Sequence, residues 1–195
     1  MGITDVQPAC HFIDTYEDGV VVNAELAIAF ASLVTRVIGE DEENAKSMGR
    51  FFPLLMDVLR SLGEEKQVTR TCFEAIVALL RCLDTQEFLR IQQCDLVVRM
   101  AELHGIGGGD GDVAEGGLNV ICMCCIANAM GKDMMGRAGA CELSAKLLRR
   151  HVSLTAAHNG VATMYAYAVA ALKQPNTLEN KERLDAVGTV GLLNR

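Results

Sequence analysis

Eight cysteines and four histidines are the side chains with the widest chemical reach in this 195-residue chain. The densest group is Cys122-Met123-Cys124-Cys125, in which Cys122 and Cys125 share one helical face. Cys141, His151 or His158 are the residues that could approach them. Structural zinc takes Cys-x2-Cys knuckles on turns, with a second such pair at a distance. The second pair is missing, so these thiols are expected to fill a helix–helix core as small hydrophobes. A nucleophilic cysteine needs a base and surroundings that favour the thiolate, and the sequence displays neither. His11, His104, His151 and His158 are scattered, with no metal or triad spacing, and read as surface or capping residues. The glycine-rich run from Gly105 to Asp112 lacks the Gly-Lys-Ser/Thr ending of a P-loop and follows a helix rather than a strand. It also lacks the alternating ligands and downstream Glu of a calcium loop. It reads as a loop between helices. No catalytic residue, cofactor or metal ligand is expected, and the chain is read as a non-enzyme by the usual active-site criteria.

A second set of residues could do recognition rather than chemistry. Arg36, Arg81, Asn128 and Lys173 recur at intervals of 45, 47 and 45 residues. If they lie on one face of successive helices, they form a polar-to-basic ladder suited to an extended acidic segment, because Arg forks pair well with carboxylates. The net charge of −7 and the lack of any Lys/Arg block exclude nucleic acid as the expected partner.

These residues must be positioned by helices. Half the chain is hydrophobic, supplied by Ala, Leu, Val, Met and Cys, with no Trp and only three prolines. Apolar residues recur at helical spacing from Val21 to Val37, Arg50 to Leu62 and Glu65 to Leu83. Gly39 and Gly63 stop the first two of these, and Pro53 falls harmlessly in a first turn. Asp41-Glu42-Glu43 reads as a solvated helix start. Asp84 with Glu87 forms a capping box, and a break is expected near Gln92 and Gln93. Asp112 is the expected cap of a helix reaching Met130 and closing at Gly131. Further helices are expected over 139–151 and 155–173, with another opening at Asn176. Residues 1–20 carry no clear period and read as a loosely ordered leader. No signal peptide is visible and no run is long enough to span a bilayer, so a reducing cytoplasmic or nuclear location is expected.

An internal repeat is the strongest signal. Six positions before the ladder stand Phe30, Ala75, Cys122 and Tyr167; three before it stand Leu33, Ala78, Cys125 and Ala170. Leu54, Leu96, Leu143 and Leu192 recur in a second register, at 42, 47 and 49 residues. The segments Glu74-Ala75-Ile76-Val77-Ala78-Leu79-Leu80 and Gly139-Ala140-Cys141-Glu142-Leu143-Ser144-Ala145-Lys146-Leu147-Leu148 resemble the armadillo repeat, and HEAT repeats fit nearly as well by length. The resemblance implies an all-α, right-handed α-solenoid of about four units, with incomplete end units, as one domain over residues 21–195. It implies a protein-interaction scaffold or adaptor that holds a partner peptide or domain on its concave face. The alternative is a regulatory or structural helical subunit that assembles through its ends or convex face, or a fragment of a longer solenoid; Leu192-Leu193 would sit on such a sticky edge. Trp is absent and, at the ladder position, Asn occurs only at Asn128, so the basic-peptide grip of the nuclear-import receptors is not implied.

Overall fold

The computed structural model describes residues 6–39, 41–82, 91–126, 128–152, 159–173 and 178–188. All regular structure among them is helical, with no strand. The chain divides into two compact units, Met1–Asp84 and Thr85–Arg195, where the sequence suggested one body over 21–195.

The first unit holds α1 (Val6–Val20), α2 (Ala24–Ile38), α3 (Glu42–Met48), α4 (Phe52–Leu62) and α5 (Lys66–Cys82). Residues 6–20 are not a loose leader. They form α1, which buries Ala9, Ile13 and Val20 and packs on α2 and α3. Val6, Ala9, Ile13, Tyr16 and Val20 step by three and four residues, the spacing of one helical face. Pro8 lies in the first turn, where no N–H is needed. Asn23 caps α2 by accepting from the Leu26 amide at 3.0 Å, and Gly39 ends it at φ +51°, a conformation costly for other residues. Asp41 then caps α3, taking the Glu43 and Asn44 amides at 2.8 and 3.2 Å. Glu42 and Glu43 in the first turn complement the positive helix end. The acidic run is thus the helix start expected. A 3-10 turn, Gly49–Phe51, leads into α4, with Pro53 in its opening positions. Helix α5 packs chiefly on α2 and α4. It is buried nearly all round from Val68 to Leu80, as its apolar circumference required.

The second unit holds α6 (Ile91–Ala101), α7 (Gly111–Cys125), α8 (Ala129–Arg137), α9 (Ala140–Val152), α10 (Asn159–Leu172) and α11 (Leu178–Ala186). Helix α6 begins at Ile91, beside the break expected near Gln92 and Gln93, and widens into a π-helical turn over Glu102–Gly107. The glycine-rich loop is therefore shorter than expected. The cap of α7 is Asp110, not Asp112, and it accepts from the Val113 amide at 3.1 Å. The π turn meets a distant part of the chain. His151, buried on α9, places Nε2 2.8 Å from the Gly105 carbonyl oxygen. A methyl at Gly105 would press on the end of the Leu147 side chain and on Ala114, which would have to give way.

Helix α7 ends earlier than the sequence suggested. The chain turns at Ile126 and restarts at α8, with Asn128 as the cap. Gly131 permits this elbow: a methyl there would overlap the Cys124 carbonyl oxygen. Five residues on, Gly136 receives the Asn180 amide of α11, whose Nδ2 donates to the Lys132 carbonyl at 2.9 Å. Arg183 donates to the Gly136 carbonyl beside it. A start for α11 at Asn176 and the capping box Asp84–Glu87 involve positions outside the described residues. So do His158, the segment after Gly188 and Leu192-Leu193.

Candidate functional site

Each unit is centred on a pair of long helices three elements apart. Helix α2 packs most extensively on α5, and α7 on α10. Their deepest side chains obey one rule. Ala27, Ala31, Val34 and Ile38 in α2 are fully enclosed, as are Val68, Cys72, Ala75 and Leu79 in α5. Ala114, Leu118, Ile121 and Cys125 in α7 repeat that spacing, and Val161, Tyr165, Ala168 and Leu172 in α10 repeat it again. The steps are four, three and four residues in every helix, the period of one buried stripe. The intervals between successive helices are 41, 46 and 47 residues. Helices α5 and α7 also bury an adjoining row.

This register differs from the one expected. Arg36 is exposed in the last turn of α2, and Arg81 is exposed in the last turn of α5. Asn128 is only 5 % exposed and lies beyond α7, where its Oδ1 accepts the Gly131 amide at 2.9 Å. Lys173 follows the end of α10 and is half-buried. Counted from the first deep residue of each helix, the four stand nine, thirteen, fourteen and twelve positions on. They are four helix ends, not four equivalent rungs. Arg, Lys and Asn recur at helix ends for local reasons, as dipole partners and caps. The expected core positions Tyr167 and Ala170 are exposed, while Phe30, Leu33, Ala75, Ala78, Cys122 and Cys125 are buried.

The rows that remain open differ between the units. On α5 the exposed residues are Lys66, Gln67, Arg70, Glu74 and Arg81, and Arg70 pairs with Glu74 at 3.3 Å. On α2 they are Glu25, Ala29 and Arg36. On α7, Asp112 and Glu115 are exposed near the N-terminal end, followed by half-buried Asn119 and Met123 and by Ile126, 52 % exposed. On α10 they are Thr163, Ala166, Tyr167 and Ala170, with Tyr167 59 % exposed. Met130 stands 52 % exposed just past the elbow. The carboxylate of Glu115 lies against Gly160, so α7 and α10 meet near their N-terminal ends. The later turns of both helices thus offer an uncharged, mostly apolar surface. One signal in the sequence pointed there: Tyr165 and Tyr167 sit two residues apart on a helix, so one of them must face away from the core.

The thiols behave as core. Cys72, Cys94, Cys122, Cys124, Cys125 and Cys141 are buried, and burial pushes all six up from the ordinary thiol value of 9.0; Cys72, Cys94 and Cys141 reach about 12. Among the described residues no group of three Cys, His, Asp or Glu side chains is placed to hold a metal ion. Cys10 and Cys82 are half-buried. Cys10 lines an open groove of about 430 Å³ with Val6, Gln7, His11, Asp14, Ser47 and Arg50. No helix among the described residues is long and apolar enough to cross a membrane.

No family model, curated protein or solved structure matches the chain. The functional reading is carried by the chain's own residues.

Proposed function

We propose that this chain is a helical-repeat scaffold of the armadillo type, which holds a partner protein or peptide on the exposed rows of its long helices. The observation that carries this reading is the shared four-three-four deep row in α2, α5, α7 and α10. One such helix cannot bury its apolar stripe alone, whereas stacked neighbours can. The period of 41 to 47 residues suits a three-helix unit.

The work is binding, not catalysis. Six thiols spend their chemistry on packing, and His151 spends its Nε2 on the Gly105 carbonyl. Buried reduced thiols suit a cytoplasmic or nuclear setting. Partner contact falls on the later turns of α7 and α10, where Met123, Ile126 and Tyr167 supply apolar and aromatic anchors of the kind that dominate interfaces. Arg36 and Arg81 remain as exposed cations that can meet an acidic segment of a partner, as peripheral contacts worth little alone.

Affinity capture with charge-introducing variants tests this. Wild type, Ile126→Asp, Tyr167→Asp and the double variant Arg36→Glu/Arg81→Glu are used as bait in parallel. A retained protein should be lost with either of the first two and kept by the double variant. Retention that ignores Ile126 and Tyr167 but vanishes with the two arginines would replace this face with the cationic one.

A further inference from the structure

We propose that the corner where α1 turns into α2 is a docking surface for a basic, apolar segment of a partner protein. The proposal stands apart from the face drawn on α7 and α10. Two kinds of exposed side chain meet at this corner. Val22, in the turn itself, is 75 % exposed, and Tyr16, near the end of α1, is 46 % exposed. The half-buried Phe12 ring lies 4.7 Å from the Tyr16 ring, so the aromatic pair is set before any partner arrives. The amides of Val22 and Asn23 both donate to the Gly19 carbonyl, at 3.3 and 3.1 Å, and keep Val22 against the helix end. Gly19 in turn lies beside Leu26, which draws the first turn of α2, and Glu25 with it, to the same corner.

Charge decides which segment fits. Glu17, Asp18 and Glu25 are exposed, and no side-chain hydrogen bond or ion pair among the described residues reaches them. No Lys or Arg precedes Arg36 in the sequence. Asp14, by contrast, is held by Arg50 at 2.9 Å. The placement of Glu17 and Asp18 works against local stability, because both stand in the last turn of α1, at the negative end of the helix dipole. Helices α2, α3, α4, α5, α6, α8, α9 and α11 each carry Lys or Arg in that turn. The last turns of α7 and α10 carry no charge of either sign. Among the described helices α1 alone ends in acids with no cation beside them. Its carbonyl end and two carboxylates make one negative spot that a partner's Lys or Arg would neutralise. The imbalance extends to the whole unit. Residues 1–84 hold 14 Asp and Glu against 7 Lys and Arg, whereas residues 85–195 hold 11 of each. The net charge of −7 therefore lies on the first unit, and a basic partner is drawn to it from a distance.

The fitting segment carries Lys or Arg close to large apolar side chains. The apolar ones cover Val22 and the Phe12–Tyr16 pair, and the cations meet Glu17, Asp18 and Glu25. An Arg among them can also stack on Tyr16. Acidic segments and phosphate backbones are repelled.

The test uses the folded full chain and three labelled synthetic helical peptides: Leu/Lys, Ser/Lys of the same charge, and Leu/Glu. Binding is read by fluorescence anisotropy. The Leu/Lys peptide should bind saturably, with an affinity that falls as salt rises. Glu17→Lys/Asp18→Lys should weaken it about tenfold, and Val22→Ser/Tyr16→Ser by a similar factor. The charge-reversed pair suits the helix dipole, so it should fold at least as well as wild type by circular dichroism. Val22→Ser alone serves if the second pair melts early. Glu182→Lys/Asp185→Lys makes the same change in net charge on α11 and should leave the affinity within about twofold, as should Tyr167→Ser on the other face. Absence of saturable Leu/Lys binding overturns the proposal, as does equally tight binding of the Ser/Lys or Leu/Glu peptide. Equal weakening by the two charge-reversed pairs would leave net charge alone at work and overturns the corner. Weakening by Tyr167→Ser in place of the corner variants moves the contact to α10 and overturns it too.

Discussion

The two units bury their cores by the same rule and finish their surfaces by different ones. In the first, the open rows of α2 and α5 carry Glu25, Arg36, Lys66, Arg70, Glu74 and Arg81, an ordinary solvated pattern. In the second, α7 and α10 are charged only near the α7 start, and their later turns present Met123, Ile126, Ala166, Tyr167 and Ala170. The second unit also relies on close approaches at Gly105, Gly131, Gly136 and Gly160, and holds most of the buried thiols. The proposed partner contact rests on this less charged outer row. The difference teaches that repetition of the inner row does not bring repetition of the outer one.

The largest effect expected from breaking this comparison lies at Tyr165, fully enclosed in α10. Truncation in Tyr165→Ala should cost about 3–5 kcal/mol, read by denaturant or thermal unfolding. Tyr165→Phe should be neutral or stabilising, because the hydroxyl is buried without a hydrogen-bond partner. A loss above about 1 kcal/mol in the phenylalanine variant would mean that the hydroxyl has a bonding role. Next comes the α7–α8 elbow. Gly131→Ala forces a methyl onto the Cys124 carbonyl and should destabilise the second unit by about 2–3 kcal/mol. Unchanged melting would show that the elbow is loosely made.

A pH series sharpens the contrast at smaller scale. The buried thiols have folded values above their unfolded value near 9, so their neutral form belongs to the folded state. Their stabilising contribution is complete below about pH 9. It declines as pH rises from there toward about 12, because the unfolded chain sheds protons that the folded chain keeps. Each such thiol adds a slope of up to about 1.4 kcal/mol per pH unit. The second unit holds Cys94, Cys122, Cys124, Cys125 and Cys141 against Cys72 alone in the first. Hydrogen exchange between pH 8 and pH 10.5, corrected for intrinsic rates, should therefore show the second unit opening more steeply. Equal slopes would contradict the assignment. The smallest effect is on the cationic ends: Arg36→Glu and Arg81→Glu should each shift stability by about 0.5 kcal/mol or less.

Much of this fold was readable from residue order. Gly39, Asp41, Pro53 and Gly139 mark helix ends by local chemistry that tertiary context does not override, and α2, α4 and α5 fall close to their periodic runs. What was not readable depended on contacts between distant residues. The π turn needs His151 to meet Gly105, 46 positions away. The elbow after Cys125 depends on a close approach that only Gly131 allows, while the sequence alone continues the helical pattern through Ile126 and Asn128. The expected ladder does not form one register for a related reason. Polar residues near helix ends recur with the repeat length, so Arg36, Arg81, Asn128 and Lys173 align as text without aligning as surface.

Tyrosine nitration of the folded chain tests the central assignment most directly, since only Tyr16, Tyr165 and Tyr167 can react. The deep row places Tyr165 inside α10 and Tyr167 outside, whereas the ladder register puts Tyr167 in the core. Peptide mapping should find Tyr167 nitrated, along with the exposed Tyr16, and Tyr165 unmodified until the chain is unfolded. Nitration of Tyr165 with protection of Tyr167 in the free chain would contradict the shared inner row and the binding face drawn from it.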